Sequence, residues 1–182
     1  MTGHVLRSRY VFIRNAGKDG TQRVLEALSP QARELMESGP LETHWYPYDV
    51  YIEISEVIDR VLGEGDMRMF ETLGAFSCEQ TLTGIFRMFF RFGNIGYLLK
   101  RASKAWHSQY DFGEMNLERD PDDTHIVTLR VSQVPRPHIV HYLAIRGWMF
   151  KAAELTTTEV EAVWECFDPA PNAEMVYRFR YY

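Results

Sequence analysis

Apolar positions recur at helical spacing through the first 110 residues and alternate with polar ones through much of the rest. Arg7–Asn15 carries an apolar run, Tyr10–Ile13, compatible with a short helix or a strand. Gly17 and Gly20 bracket a break. Thr21 then opens a helix with Val24, Leu25 and Leu28 on one face. Ser29-Pro30 reads as an N-cap followed by proline at the first helical position, and Gly39-Pro40 ends that helix. Asp49 caps the next helix, which runs to about Leu62 with Val50, Ile54, Val57, Ile58 and Val61 as its apolar stripe. Asp66 caps another, with Met67, Phe70, Leu73 and Cys78 inward; it continues to about Phe92, with Gly74 or Gly84 marking a bend or a close crossing. Gly93-Asn94 stops it, and a further helix covers about Ile95–Tyr110.

The period changes near Phe112. Met115 and Leu117 alternate with charges, Asp120-Pro121-Asp122-Asp123 makes a turn, and Val127, Leu129 and Val131 alternate again, which predicts a β-hairpin. His138–Leu155 is a helix apolar on most sides, and so one to be buried. A second hairpin follows: Thr157–Phe167, the turn Asp168–Asn172, and Glu174–Tyr182 with Met175, Tyr177, Phe179 and Tyr181 on one face. The expected architecture is a single α+β domain over 1–182. Residues 1–110 are mainly helical, 111–182 form hairpin, helix and hairpin, and helices pack on an antiparallel four-stranded sheet.

Composition narrows the classes of function. With 182 residues the chain can bury roughly 70% of its unfolded surface without a disulfide or metal staple. The net charge of -5 offers no broad basic field for nucleic acid. No apolar run is long enough to span a membrane, and the N-terminal stretch lacks a secretory apolar core, so the expectation is a cytoplasmic domain with Cys78 and Cys166 as free buried thiols.

Candidate chemistry is sparse. No phosphate-cradling glycine loop and no nucleophile elbow occur. His138 and His141 lie at i, i+3, a spacing that serves metal ligands or, with Arg136 and Arg146, an anion site; two polar side chains near a helix start are the simpler reading. Glu53 with Glu56, and Glu71 with Glu79, read as solvated helix faces. Thr81–Tyr110 is the most distinctive stretch, with aromatic residues and interleaved cations. Arg87 and Arg91, one turn apart, point either into a cavity, where guanidinium groups bind carboxylate or phosphate bidentately, or into solvent, capping an acidic helix such as Glu53–Asp59 or stacking on an aromatic ring.

Several motifs carry a resemblance. Trp45-Tyr46-Pro47 precedes a helix ending Asp59–Gly63; Leu82–Arg91 reads L-T-G-I-F-R-M-F-F-R; Ala105–Gly113 reads A-W-H-S-Q-Y-D-F-G; His141–Trp148 reads H-Y-L-A-I-R-G-W. In this order the chain resembles a paralogous family found mainly in myxobacteria and their relatives. That family is similar to a superfamily containing 4-vinyl-reductase-type ligand-binding domains, TRAPP vesicle-tethering subunits and haem–nitric-oxide-binding domains. The resemblance implies helices over an antiparallel sheet with a pocket between them, and ligand binding, sensing or assembly in place of catalysis. Where vinyl-reductase-type domains end on two cysteines around Gly-Asp, this chain has Cys166, Pro171, Asn172 and Met175, so a paired-thiol site is not expected. The Y-x-S-x-R motif of the haem branch is absent, and Tyr177-x-x-Arg180 does not reproduce it. The resulting expectation is a non-enzymatic domain without a cofactor, taking a small apolar or amphipathic ligand. Arg87 and Arg91 would be its polar anchors, and Phe86, Phe90, Trp106 and Trp148 its walls. The alternative is an interaction module that dimerises or docks a protein partner without a small ligand, and behind both stands a haem or metal sensor.

Overall fold

The computed structural model describes residues 1–81, 104, 106–155 and 159–182. Five helices open the chain: α1 (Gly3–Asn15), α2 (Gly17–Ala27), α3 (Pro30–Ser38), α4 (Tyr48–Leu62) and α5 (Arg68–Thr81). Residues 106–109 are helical. Then come β1 (Glu114–Arg119), β2 (Ile126–Ser132), α6 (Ile139–Leu155), β3 (Val160–Phe167) and β4 (Met175–Tyr181). The four strands are antiparallel in the order β1-β2-β4-β3, so each hairpin contributes one central and one edge strand. This is the α+β arrangement expected from the change of period.

Local chemistry explains most of the boundaries. The Ser29 hydroxyl accepts from the Ala32 N–H at 3.3 Å and donates to Glu53 at 3.0 Å, closing the first turn of α3 onto α4. Ser29→Ala removes both, and urea unfolding should register a loss of about 1–2 kcal/mol. Gly39 ends α3 at φ 82°, in the left-handed region. In the β1–β2 turn, Asp120 accepts the backbone N–H groups of Asp122 and Asp123 at 3.0 and 3.2 Å. With Arg178 also bonded to it, the Asp120 carboxyl is held below its ordinary range, chiefly by the Asp122 bond.

The first segment is wholly helical, one of the two readings left open for it. Three local expectations are corrected. The break before α2 falls at Gly17, φ 75°, and Gly20 lies inside the helix, because the Thr21 hydroxyl bonds back to the Ile13 carbonyl at 2.8 Å instead of capping. Pro47 occupies the cap position of α4; Asp49 sits in its first turn and pairs with Arg136. Met67 does not point inward. It sits at φ 72° and is 48% exposed, because the Asp59 carboxylate takes its N–H in the α4–α5 turn.

Two apolar cores result. One lies among α1–α5 and includes Leu6, Ile13, Val24, Ile54, Ile58 and Leu73. The other lies between α6 and the sheet, around Val127, Leu129, Tyr142, Met175, Tyr177 and Phe179. The inner face of β4 is the one expected: Met175, Tyr177 and Phe179 are buried and Tyr181 partly so. Helix α6 serves both layers. Its Tyr142 ring stacks on Tyr177 at 4.6 Å, and the Tyr177 hydroxyl donates to the Tyr142 carbonyl at 2.9 Å. On the other side, Gly147 abuts the Glu71 carbonyl and Gly74 the Ala144 carbonyl, a reciprocal close crossing of α5 and α6. A helix covered from both sides has no need of a polar stripe, which is why α6 reads apolar nearly all round. Both cysteines are free; Cys78 is buried, while Cys166 is only half-buried and so less sheltered than expected. No helix among the described residues is long and apolar enough to cross a membrane.

Candidate functional site

Two buried polar side chains stand where the cores meet. Arg9 follows Leu6 and precedes Ile13 on the inward stripe of α1, and only 1% of it is exposed. Its Nη2 donates to the Tyr51 hydroxyl at 2.8 Å, its Nη1 to the Ser8 hydroxyl at 3.0 Å and the Leu73 carbonyl at 3.4 Å, and its Nε to the Ser55 hydroxyl at 3.4 Å. The guanidinium also lies over the Tyr51 ring, 4.6 Å from its centroid. Every one of these partners is neutral. Among the described residues no carboxylate pairs with Arg9, and residues 82–103 contain neither Asp nor Glu. A buried cation without an anion is costly, so it is an unusual thing for a core to retain.

The second is His141, in the first turn of α6 and fully buried. Neither ring nitrogen has a hydrogen-bond partner among the described residues. Around it stand Tyr110 at 4.9 Å, Tyr48 at 5.4 Å, Trp106 at 5.5 Å and nearly parallel, Tyr51 at 5.8 Å and Phe112 at 6.4 Å between ring centroids. The Tyr48 hydroxyl is likewise buried and unpartnered. Burial, then the charges of Arg9, His138 and the Met1 amine, push the His141 pKa down to about 3, so the ring is neutral near pH 7 with one N–H and one lone pair. Burial also raises the phenols of Tyr48, Tyr51 and Tyr110 above their ordinary value. The shell can therefore donate hydrogen bonds and presents no negative charge.

The residues named from sequence disperse. Arg87, Arg91, Phe86 and Phe90 lie outside the described residues. Trp106 stands in the His141 shell, whereas Trp148 packs on Cys78 and Ala152 along the α5–α6 seam. His138 and His141 do not act together: His138 faces Glu56 at 3.7 Å while His141 points into the aromatic shell. Arg136 goes to Asp49, and Arg146 bridges Glu71 at 2.9 Å and Glu165 at 2.8 Å, so the four do not form an anion site. No group of three metal-ligating side chains occurs among the described residues. A cleft of about 700 Å³ on the α5–α6 surface is open to solvent, and its Lys151 is already paired with Glu79 and Glu154. Arg9, Tyr48 and Tyr51 escaped the sequence reading. The one available signal was a cation in register with an apolar helical stripe.

Helices over an antiparallel sheet, with a helix between two hairpins, have counterparts among solved structures. The fold is that of the H-NOX domains. A structure described for the molecular mechanism of H-NOX activation superposes with a TM-score of 0.73 at 12% identity, covering 100% of this chain and 96% of that one. An oxygen-binding H-NOX domain related to soluble guanylate cyclases, in its oxygen complex, gives 0.72 at 13%, covering 100% and 95%. An Fe(II) unliganded H-NOX protein mutant from K. algicida gives 0.74 at 9%, covering 100% and 97%. No family model matches the chain, and no curated protein is significantly similar in sequence.

The H-NOX fold raises the question of haem. A haem iron needs an axial donor that faces an enclosed flat space able to hold the macrocycle. Here both nitrogens of His141 are covered, and a macrocycle set on either would occupy space that the surrounding rings hold. The other histidines give no buried donor: His4, His44, His107 and His125 are exposed and His138 faces Glu56. Burial keeps the Cys78 thiol protonated. Residues 82–103 contain no His or Cys. The described residues do not fit a haem.

Proposed function

We propose that this H-NOX-like chain is a non-enzymatic sensor or signalling domain that takes a small apolar or amphipathic molecule, without haem, where the helical layer meets the sheet. One observation carries the reading: fully buried His141 keeps two nitrogens unpartnered among the described residues, inside an aromatic shell. A buried polar group without a partner costs about 1–3 kcal/mol, and a ring chosen only for packing would avoid that cost. Aromatic walls with a few polar groups are the common form of a small-molecule site. Membership of the myxobacterial-type family, on the motifs quoted above, is part of the same reading.

Native mass spectrometry of protein purified from haem-supplied cells tests it. The expected result is an organic adduct above the 21.3 kDa chain, lost on denaturation and absent from His141→Phe, with no Soret band. A bare chain would overturn ligand binding, and a stoichiometric Soret band would overturn the haem-free part.

A second reading, an interaction module, draws on edge strand β3, where Val163 is 44% and Trp164 52% exposed. Light scattering would favour it with a mass that is a multiple of the chain's and that collapses to one chain in Trp164→Glu.

A further inference from the structure

The proposed site has a charge preference. Four of the five Arg9 N–H groups are taken up by neutral acceptors, which satisfies its hydrogen bonding and leaves its charge uncompensated. Among the described residues the other cations near the shell are not in that position: Arg136 is paired with Asp49, and the Met1 amine with Asp111 at 3.1 Å. Tyr51 links Arg9 to the shell, accepting its hydrogen bond, receiving the guanidinium on its face and meeting His141 edge-on. Two buried groups able to donate to an anion also adjoin Tyr51, the Tyr48 hydroxyl and the N–H of neutral His141, both unpartnered among the described residues. A cation, two idle donors and five aromatic rings make a complementary set for one kind of guest, small enough to enter by parting a few rings: a flat or short apolar body ending in a carboxylate. The outer wall is thin, since Tyr48, Tyr110 and Phe112 are each only half-buried.

We propose that the His141 shell binds a small organic carboxylate, with Arg9 as its counter-charge and Tyr48 and His141 as its hydrogen-bond donors. The proposal rests on the ligand-binding reading above and specifies the ligand's class. A neutral molecule of the same shape would fill the rings yet leave Arg9 without an anion.

Benzoate and its neutral analogue benzamide separate the two levels. In titrations of the full chain followed by imidazole NMR and calorimetry, benzoate should move the His141 ring signals and bind at least tenfold more tightly than benzamide. Tyr48→Phe keeps the ring and removes one donor, and should weaken benzoate about tenfold and benzamide by less, since a bond to a charged acceptor is the stronger one. Arg9→Met should abolish the preference for benzoate. Should that variant not fold, the Tyr48→Phe comparison decides. Equal affinity for both compounds would overturn the anion preference and leave the ligand-binding reading standing. Failure of both to perturb His141 would overturn the carboxylate site, and with a bare chain in native mass spectrometry the ligand-binding reading falls as well.

Discussion

Gly147→Ala should cost about 3 kcal/mol of stability in urea unfolding, and Gly74→Ala a comparable amount. On helix propensity alone each substitution should stabilise the protein by about 1 kcal/mol. Packing reverses the sign. A methyl group on Gly147 would stand 2.1 Å from the Glu71 carbonyl oxygen, and one on Gly74 would stand 2.0 Å from that of Ala144. These neighbours are backbone and cannot swing aside, so α5 and α6 would have to separate. Overpacking of this kind costs typically 1–3 kcal/mol, and a backbone clash belongs at the upper end. Separation would also strain the Arg146 bridge from Glu71 to Glu165, which joins α5, α6 and β3 beside the crossing. A neutral or stabilised alanine variant would mean that the helices do not meet at these two glycines.

Acid should weaken the wild-type protein more than His141→Phe, by about 3 kcal/mol between pH 7 and pH 4. In the unfolded chain His141 titrates near its ordinary 6.5; in the folded protein burial and the Arg9 charge hold it at about 3. Between those values the unfolded chain binds a proton that the native state refuses. The contribution is therefore complete above pH 6.5 and declines as pH falls toward 3, by about 1.4 kcal/mol per pH unit. Carboxylates titrate across the same interval, which is why the difference between the two proteins, measured by urea unfolding at each pH, is the useful quantity. Parallel curves would mean that His141 reaches solvent or a partner in the folded state. At neutral pH His141→Phe should be as stable as the wild type or more so, since it removes two unpaired nitrogens, and it should lose the bound ligand.

The fold was largely legible in the sequence because its signals are local. Ser29-Pro30 and Gly39 mark α3 through hydrogen bonds and dihedral angles that involve a few neighbouring residues. Both hairpins follow from alternation and Asp-Pro turns, and the inward face of β4 from its odd-numbered apolar residues. The local errors have a tertiary origin: Thr21 bonds to α1 and not to its own helix, and Met67 is turned outward by Asp59 of α4. Gly74 was recognisable as a close approach, but its partner on α6 was not.

The candidate site was far less legible. His141 entered the sequence reading through its spacing from His138, yet the two imidazoles face different neighbours. Arg9 lies far from His141 in the chain, and only the packing of α1, α4 and α6 brings both against Tyr51. Sequence alone determined the described elements, their order and the faces that β1, β2 and β4 bury, because these depend on periodicity and on contacts a few residues long. Tertiary structure alone decided which polar groups lose both water and partners, because desolvation is set by whatever covers a side chain from distant parts of the chain. Among the described residues that covering leaves one arginine without an anion and one histidine without a hydrogen bond, both against Tyr51.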